Sequence, residues 1–489
     1  MFASLILLAI FIPALGGVLI RRLSADPKTQ GKLSLAFLAF GAACALMSLL
    51  TSPDAPFVLL TLGDSVRVEF ALDAMNRFYL AFVPLVWLGV GAYALEYVEH
   101  DENPSLFWRY YLLSFAALAG LSASANLITL YMFYEMMTLC TVPLVAYNRD
   151  GQAVAAAVKY LLYSVFGASA ALLGIFFVGA YAGGFGFVPG GVFSAEAMAQ
   201  HGGALKIVFL VMILGFGVKA GMFPAHSWLP TAHPVAPAPA SAVLSGVITK
   251  MGVMGIVRTV FYIAGAQNLK GTYVQYTFMT RSLITVVMGS TLAFKEKLFK
   301  KRLAYSTVSQ VSYVLFGLST MTQAGFVGAC LHIVFHSLIK NTLFMSAGAV
   351  IHKTGSTQVD ELKGIGKRMP VTMTLFTVVS LGLIGIPPTG GFVSKWNLAQ
   401  GALSAGVKGA WIGPACLLLS AILTAAYLLG ISIKAFFTGE DDRELVKCEP
   451  TWRMLAPMAV FAVLSVALGV LPGGLITFFS RIAAALLQE

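Results

Sequence analysis

What most constrains this chain is a succession of apolar stretches with almost no charge inside them. An α-helix needs about 20 such residues to cross the hydrocarbon core of a bilayer. The 489 residues hold 14 candidate spans, roughly 2–20, 32–52, 76–98, 106–124, 126–146, 153–182, 205–236, 238–265, 273–293, 302–321, 324–351, 370–402, 409–437 and 454–480. The composition agrees: 58% is hydrophobic, 11% charged, and the mean hydropathy is +0.83. A soluble chain of this length divides into about three domains, each with a charged skin. The 32 basic and 21 acidic residues are too few for that. A soluble enzyme, a nucleic-acid binder and a disulfide-stapled secreted domain are therefore excluded. The expected fold is an all-α polytopic membrane protein.

The net charge of +11 has a membrane explanation. With the N-terminus outside, the loops after odd-numbered spans and their flanks hold 20 of the 32 lysines and arginines, among them Arg21, Arg22, Arg109, Lys300, Lys434 and Arg443. The opposite side holds 7, and Lys219, Lys250, Arg258, Lys340 and Lys395 fall inside spans. Cytoplasmic loops carry the basic excess, which places both termini outside. The first span ends at Arg21-Arg22 with no basic stretch before it, so it reads as a retained helix, not a cleaved signal. Residues 57–72 alternate in hydropathy around Gly63-Asp64 and read as a short external hairpin. The rest reads as one membrane domain, 1–489: spans 1–3 with the hairpin (1–105), a first repeat (106–265), an inverted second repeat (273–437) and a last span (454–480). Cys44, Cys140, Cys330, Cys416 and Cys448 lie at least 32 residues apart. That spacing argues against an iron–sulfur cluster, a zinc site or a redox dithiol. No cofactor is expected in this chain.

A charged side chain at the bilayer centre costs about 2.5–3.5 kcal/mol or more, so those that occur there are informative. Glu135 is the one acidic residue deep inside a span, in Tyr131-Met-Phe-Tyr-Glu135-Met-Met. A carboxyl that merely bonds a neighbouring helix is the bland alternative. A helix starting at Leu205 reaches Lys219 after about 21 Å, past the middle of the core. There Gly221-Met-Phe-Pro224 breaks it, and irregular backbone at that depth survives only inside protein or beside a wet cavity. Lys250 is also near mid-depth. Snorkelling to an interface is open to Arg258 but too long a reach for Lys219 or Lys250.

Span 11 carries His332, His336 and Lys340 at i, i+4, i+8, one helix face that climbs about 6 Å per step. Such a row can pass a proton through intervening water. Zinc is the alternative for this spacing, but no nearby Cys, Asp or Glu completes a site. Haem would want histidines from facing helices, and helix–helix glue is the bland reading. Lys395 follows the second break, Pro387-Pro-Thr-Gly-Gly391, in span 12. Two broken helices five spans apart in opposite directions suggest inverted repeats. Desolvation disfavours a charged lysine and a nearby carboxylate favours it. Opening and closing a Glu135–Lys219 pair could therefore load and release a proton.

Three stretches carry a family resemblance: Lys219-Ala-Gly-Met-Phe-Pro-Ala-His226-Ser-Trp-Leu-Pro-Thr-Ala-His233-Pro with its Pro/Ala-rich continuation to Lys250, His332-Ile-Val-Phe-His336-Ser-Leu-Ile-Lys340-Asn, and Gly385-Ile-Pro-Pro-Thr-Gly-Gly-Phe-Val-Ser-Lys395. Over nearly its whole length the chain resembles the antiporter-like membrane subunits of respiratory complex I, Mrp-type cation/proton antiporters and membrane-bound hydrogenases. The resemblance implies 14 helices in two inverted five-helix repeats with broken helices 7 and 12. It makes Glu135 and Lys219 a coupling pair, Lys250 a central relay, the span 11 histidines carriers toward Lys395 as exit, and His226 part of the input path. It implies a prokaryotic plasma membrane. The implied partners are paralogous antiporter-like subunits, small hydrophobic subunits, lipids, and peripheral iron–sulfur, flavin or nickel subunits. Lysine at 395 departs from one complex I paralogue, which has glutamate. The chain stops after span 14, without the long lateral helix of the largest complex I subunit of this type. The His233-Pro-Val-Ala-Pro-Ala-Pro run looks more like the hydrogenase-linked members.

Four functions compete. The leading one is a proton-translocating subunit of a redox-driven complex. The alternative is a subunit of an Mrp-type sodium/proton antiporter, but a sodium site wants oxygen ligands at depth, and Glu135 is the sole buried carboxylate expected. A self-sufficient permease would want one roomy central site, where these polar groups are strung in a line. A passive scaffold would tolerate Lys219→Ala.

Overall fold

The computed structural model describes residues 1–51, 53, 55–63, 66–437 and 446–488. Ser52 at the end of the second expected span, Asp64 in the hairpin turn and Arg443 among the inner basic residues lie outside the described residues. The chain opens with α1 (Phe2–Leu23) and α2 (Pro27–Ser48), a β-hairpin of β1 (Phe57–Leu62) and β2 (Val66–Phe70), and then α3 (Ala74–Tyr97). Next come α4 (Pro104–Ser122), α5 (Leu127–Val145), α6 (Gly151–Ala182) and α7 (Ala195–Lys219). Short helices α8 (Trp228–Val235) and α9 (Ala238–Val243) lead into a π-helical turn (Leu244–Ile248), α10 (Thr249–Val257), a second π segment (Arg258–Ala264) and α11 (Ala266–Leu269). The second half holds α12 (Tyr273–Lys295), α13 (Phe299–Ser319), α14 (Gln323–Thr354) and α15 (Ile365–Arg368). It ends with α16 (Pro370–Ile384), α17 (Gly390–Leu403), α18 (Ile412–Phe437), α19 (Trp452–Val470) and α20 (Gly473–Leu487).

Local chemistry sets these boundaries. Asp26, Asp73, Asn126, Asp150 and Thr322 each accept a backbone N–H at the start of α2, α3, α5, α6 and α14, which satisfies donors a helix start leaves free. Pro27, Pro104 and Pro370 open α2, α4 and α16, where their missing N–H costs nothing. The expected hairpin forms: β1 and β2 pair antiparallel, Phe57 opposite Phe70, with an irregularity between Val58 and Leu60.

Eleven helices among the described residues are long and apolar enough to cross a membrane. Helices α4 and α13, of 19 and 21 residues, form at the fourth and tenth expected spans. Both expected breaks are present. Helix α7 ends at Lys219 and regular helix resumes at Trp228, while α16 ends at Ile384 and α17 starts at Gly390. Gly221 (φ +77°) and Gly385 (φ +93°) take the left-handed conformation that ends each first half-helix. The fourteenth expected span is two helices. Leu471 and Pro472 separate α19 from an amphipathic α20 that opens on Gly473-Gly474, because Pro472 cannot extend the ladder of α19.

The chain divides into two compact units. The first comprises Met1–Lys219, Met251–Lys270 and Ala485–Glu489, and the second Ala220–Lys250 and Gly271–Ala484. In the first, α4 packs on α1 and α5, and α6 on α5 and α7. Carbonyls of Phe261, Tyr262 and Ile263 in the π segment accept from Gly190, Val188 and Val192, since π winding leaves backbone groups available to outside partners. In the second unit, α14 is enclosed by α9, α13, α16, α17 and α19, and Gly325 to Val350 are all buried. A helix buried on every face must satisfy its polar side chains from its neighbours.

Candidate functional site: buried lysines and histidines

In the first unit Lys219 ends α7 and is 0% exposed. Its Nζ donates to Thr138 Oγ1 at 2.8 Å on α5, and to Ser164 Oγ at 2.8 Å and Tyr160 OH at 3.2 Å on α6. Three hydroxyl acceptors match the three donors of an ammonium group. The Tyr160 ring, 4.6 Å from Nζ at its centroid, and the Tyr134 ring at 5.5 Å add cation–π attraction. Tyr160 OH also shares a proton with Thr141 Oγ1 at 2.7 Å. Glu135 lies on α5 beside Tyr134, half-buried, and its buried Oε1 meets no hydrogen-bond partner among the described residues. Glu135 and Lys219 do not form an ion pair; the lysine is held by hydroxyls.

Arg258, for which snorkelling was an open reading, is 0% exposed and pairs with Asp73 in the same unit. Phe187 and Tyr262 lie against its guanidinium, each 4.3 Å away at the ring centroid. Asp73, itself partly exposed, also caps α3, with Asn76 closing the capping box, so the pair ties a buried arginine to the start of a helix.

The second unit gathers four of the expected residues. Lys250 Nζ and His336 Nδ1 are 2.7 Å apart, and which one donates depends on where the proton sits. Ser245 O, in the π turn, accepts from both Lys250 and Thr249. His336 lies one helical turn from His332, with ring centroids 5.9 Å apart. His332 Nδ1 bonds Ser394 Oγ at 2.9 Å, and Tyr313 stacks on its ring at 5.4 Å. The same Tyr313 ring lies 5.1 Å below Lys395 Nζ. Lys395 donates to the carbonyls of Leu383 and Ile384 at 2.6 and 2.8 Å. Those carbonyls end α16, where the helix dipole is negative and acceptors are free.

The structure sets the other candidates apart. Lys340, one turn beyond His336 and fully buried, donates to Leu303 O at 3.0 Å. His226 lies in the irregular segment after the first break, half-buried and stacked with Phe223. His233, named only as part of the sequence signature, is fully buried against Phe344, and neither ring nitrogen has a partner among the described residues. Lys300, read from sequence as a loop lysine, instead folds onto the Pro234 and Ala236 carbonyls at the end of α8. Thr138, Tyr160, Ser164, Tyr313 and Ser394 were not singled out by sequence reasoning. Among the described residues no group of three or more His, Cys, Asp or Glu is placed to hold a metal ion.

Long apolar helices around buried, hydrogen-bonded lysines and histidines define a multi-pass membrane protein with titratable groups in its interior. Residues 124–440 match the family described as NADH:quinone oxidoreductase/Mrp antiporter, transmembrane, and the chain belongs to that family. A relative named NADH-quinone oxidoreductase subunit N, from Desulforudis audaxviator (strain MP104C), is 32% identical over 90% of this chain and 88% of its own. A Na(+)/H(+) antiporter subunit from Bacillus subtilis (strain 168) is 26% identical over 95% of this chain and 94% of its own. A chain in the structure of the Mrp complex from Dietzia sp. DQ12-45-1b shares the fold. Its TM-score is 0.84 over 99% of this chain and 98% of that one, at 22% identity.

Proposed function

We propose that this chain is the proton-translocating antiporter-like subunit of a redox-driven membrane complex, NADH dehydrogenase-like or hydrogenase-linked. The observation that carries the reading is the 2.7 Å contact between Lys250 and His336, on a helix with no exposed face. Two groups that both exchange protons, held in direct contact away from solvent, form an elementary proton-transfer step. His336 passes the proton to His332 through water, since the rings are not directly bonded, and His332 hands it on beside Tyr313 toward Lys395. In the first unit, the hydroxyl cage is one resting place for the Lys219 ammonium. Contact with Glu135 is the other, and alternation between them loads and releases a proton. His226 belongs to the input side, and Lys340 supports the span 11 row.

The same reading organises the chain as inverted repeats, 106–265 and 273–437, each with a lysine at its helix break, within 14 crossings and with both termini outside a prokaryotic plasma membrane. Electrons travel in partner subunits bearing iron–sulfur, flavin or nickel groups, and no cofactor is bound here. Paralogous and small hydrophobic subunits complete the assembly. The Mrp-type reading is the second one. It is favoured by the Bacillus subtilis Na(+)/H(+) antiporter relative, which this chain matches along 94% of its length.

Gentle affinity purification of the chain from its own membranes, followed by mass spectrometry, separates the two. Stoichiometric iron–sulfur, flavin or nickel subunits are expected. Recovery of small hydrophobic subunits alone, with sodium-dependent proton flux, would replace the redox reading by the antiporter one.

A further inference from the structure

Arg21 and Arg22 occupy the last turn of α1, and Arg109 the second turn of α4. The two helices pack closely at this end: a Cβ on Gly17 would lie 2.8 Å from the Arg109 carbonyl oxygen. With Val18, the three arginines line a pocket of about 530 Å³. None of the three side chains makes an ion pair or hydrogen bond with a described residue, and Arg109 Nε is buried without a partner. Two acids near this end are already engaged, Asp26 as the cap of α2 and Glu99 with Lys28 at 3.2 Å. Three converging guanidiniums repel one another unless an anion joins them, and their planar forks fit phosphate oxygens.

The surface leading away from the pocket decides which anion. Leu8, Phe11, Leu15 and Val18 are 38%, 57%, 51% and 56% exposed. Their spacing puts them in one line along α1 that reaches Arg22 four residues on, an apolar track about 15 Å long. A soluble phosphate would use only the pocket. A molecule with a phosphodiester head and a hydrocarbon tail uses both. We propose that Arg21, Arg22 and Arg109 bind the headgroup of an anionic phospholipid whose acyl chain lies along Leu8, Phe11, Leu15 and Val18.

The test is native mass spectrometry of the intact protein in mild detergent, equilibrated with phosphatidylglycerol or phosphatidylcholine, with thermal unfolding in parallel. Each arginine near an anionic headgroup is worth about a fivefold preference. The wild type should retain phosphatidylglycerol over phosphatidylcholine by that factor or more. The triple variant Arg21→Gln, Arg22→Gln, Arg109→Gln should lose the preference, and Arg109→Gln alone, the milder change, should lower it about fivefold. A Lys363→Gln, Lys367→Gln double variant keeps the preference if the site, not net charge, creates it. Phe11→Ser with Leu15→Ser should weaken lipid retention. An unchanged preference in the triple variant overturns the proposal. So does protection by inorganic phosphate equal to that by phosphatidylglycerol, which would mean a plain anion site.

Discussion

Two lysines stand at the two helix breaks, one in each unit, and the protein holds them differently. Lys395 rests on the carbonyls of Leu383 and Ile384, acceptors that the end of any helix leaves free. Lys219 rests on Thr138, Tyr160 and Ser164, three side chains from two other helices. The Lys395 arrangement follows from breaking the helix. The Lys219 arrangement depends on side chains that substitution can remove, and it leaves the Glu135 carboxyl nearby without a bond to Oε1. In the proposed mechanism the lysine held by hydroxyls, with an acid available as an alternative, is the one that switches, and the lysine held by backbone stays in place.

The largest effect that tests this contrast is loss of the switch. Lys219→Ala and Glu135→Gln should each reduce proton uptake coupled to the parent complex at least about a hundredfold, with assembly intact on native gels. Normal pumping in either variant removes the Glu135–Lys219 switch from the mechanism. Tyr160→Phe comes next. It deletes one acceptor of a charged donor, worth about 1.5–3 kcal/mol, and uptake should fall about tenfold or more. Tyr313→Phe is the matched change in the second unit. The Tyr313 hydroxyl bonds Leu417 O at 2.9 Å and never touches Lys395, so uptake should change much less. Equal losses in the two tyrosine variants would erase the distinction between the lysines.

The contrast also explains what the sequence reveals. Lys219, Lys250, His332, His336 and Lys395 stand out because charge and imidazole are costly in apolar spans. Gly221-Met-Phe-Pro224 and Pro387-Pro-Thr-Gly-Gly391 mark the breaks for an equally visible reason. Thr138, Ser164 and Tyr160 give no such signal. A hydroxyl in a membrane helix usually bonds its own helix, as Thr138 does to Tyr134 O at 3.0 Å, so its second role appears only in three dimensions. The Asp73–Arg258 pair joins positions 185 residues apart, and no local pattern connects them. Helix α7 begins at Ala195, ten residues before the apolar run that announced it, because polar residues continue a helix without raising hydropathy. The α19–α20 break is the reverse case. Pro472-Gly473-Gly474 signals a stop, but a hydropathy window averages it away.

If backbone geometry fixes Lys395, altering the break should act on stability more than on the lysine. A Cβ at Gly391 would lie 1.8 Å from the Gly382 carbonyl oxygen, so Gly391→Ala should destabilise the second unit by about 1–3 kcal/mol. Thermal unfolding of the purified chain should show this as a lower midpoint.

The smallest expected effect comes from a lysine held in a third way, by a carboxylate outside the membrane. Lys434 at the end of α18 pairs with Asp360, which lies in the short helix Val359–Leu362. The hydrogen bond and charge of Lys434 hold the Asp360 carboxyl below the usual carboxylate range. A carboxyl depressed in the folded state stabilises that state above its unfolded value near pH 4, and the contribution fades as pH falls through the depressed value. Both side chains are substantially exposed, so water and salt screen the pair and little stability rests on it. Hydrogen exchange should show the Val359–Leu362 segment loosening as pH falls below the ordinary carboxylate range near pH 4, with Asp360→Asn abolishing that dependence. Proton uptake at neutral pH should be unchanged in Asp360→Asn. A loss there as large as in Lys219→Ala would mean that an exposed carboxylate can do what the buried hydroxyl cage does.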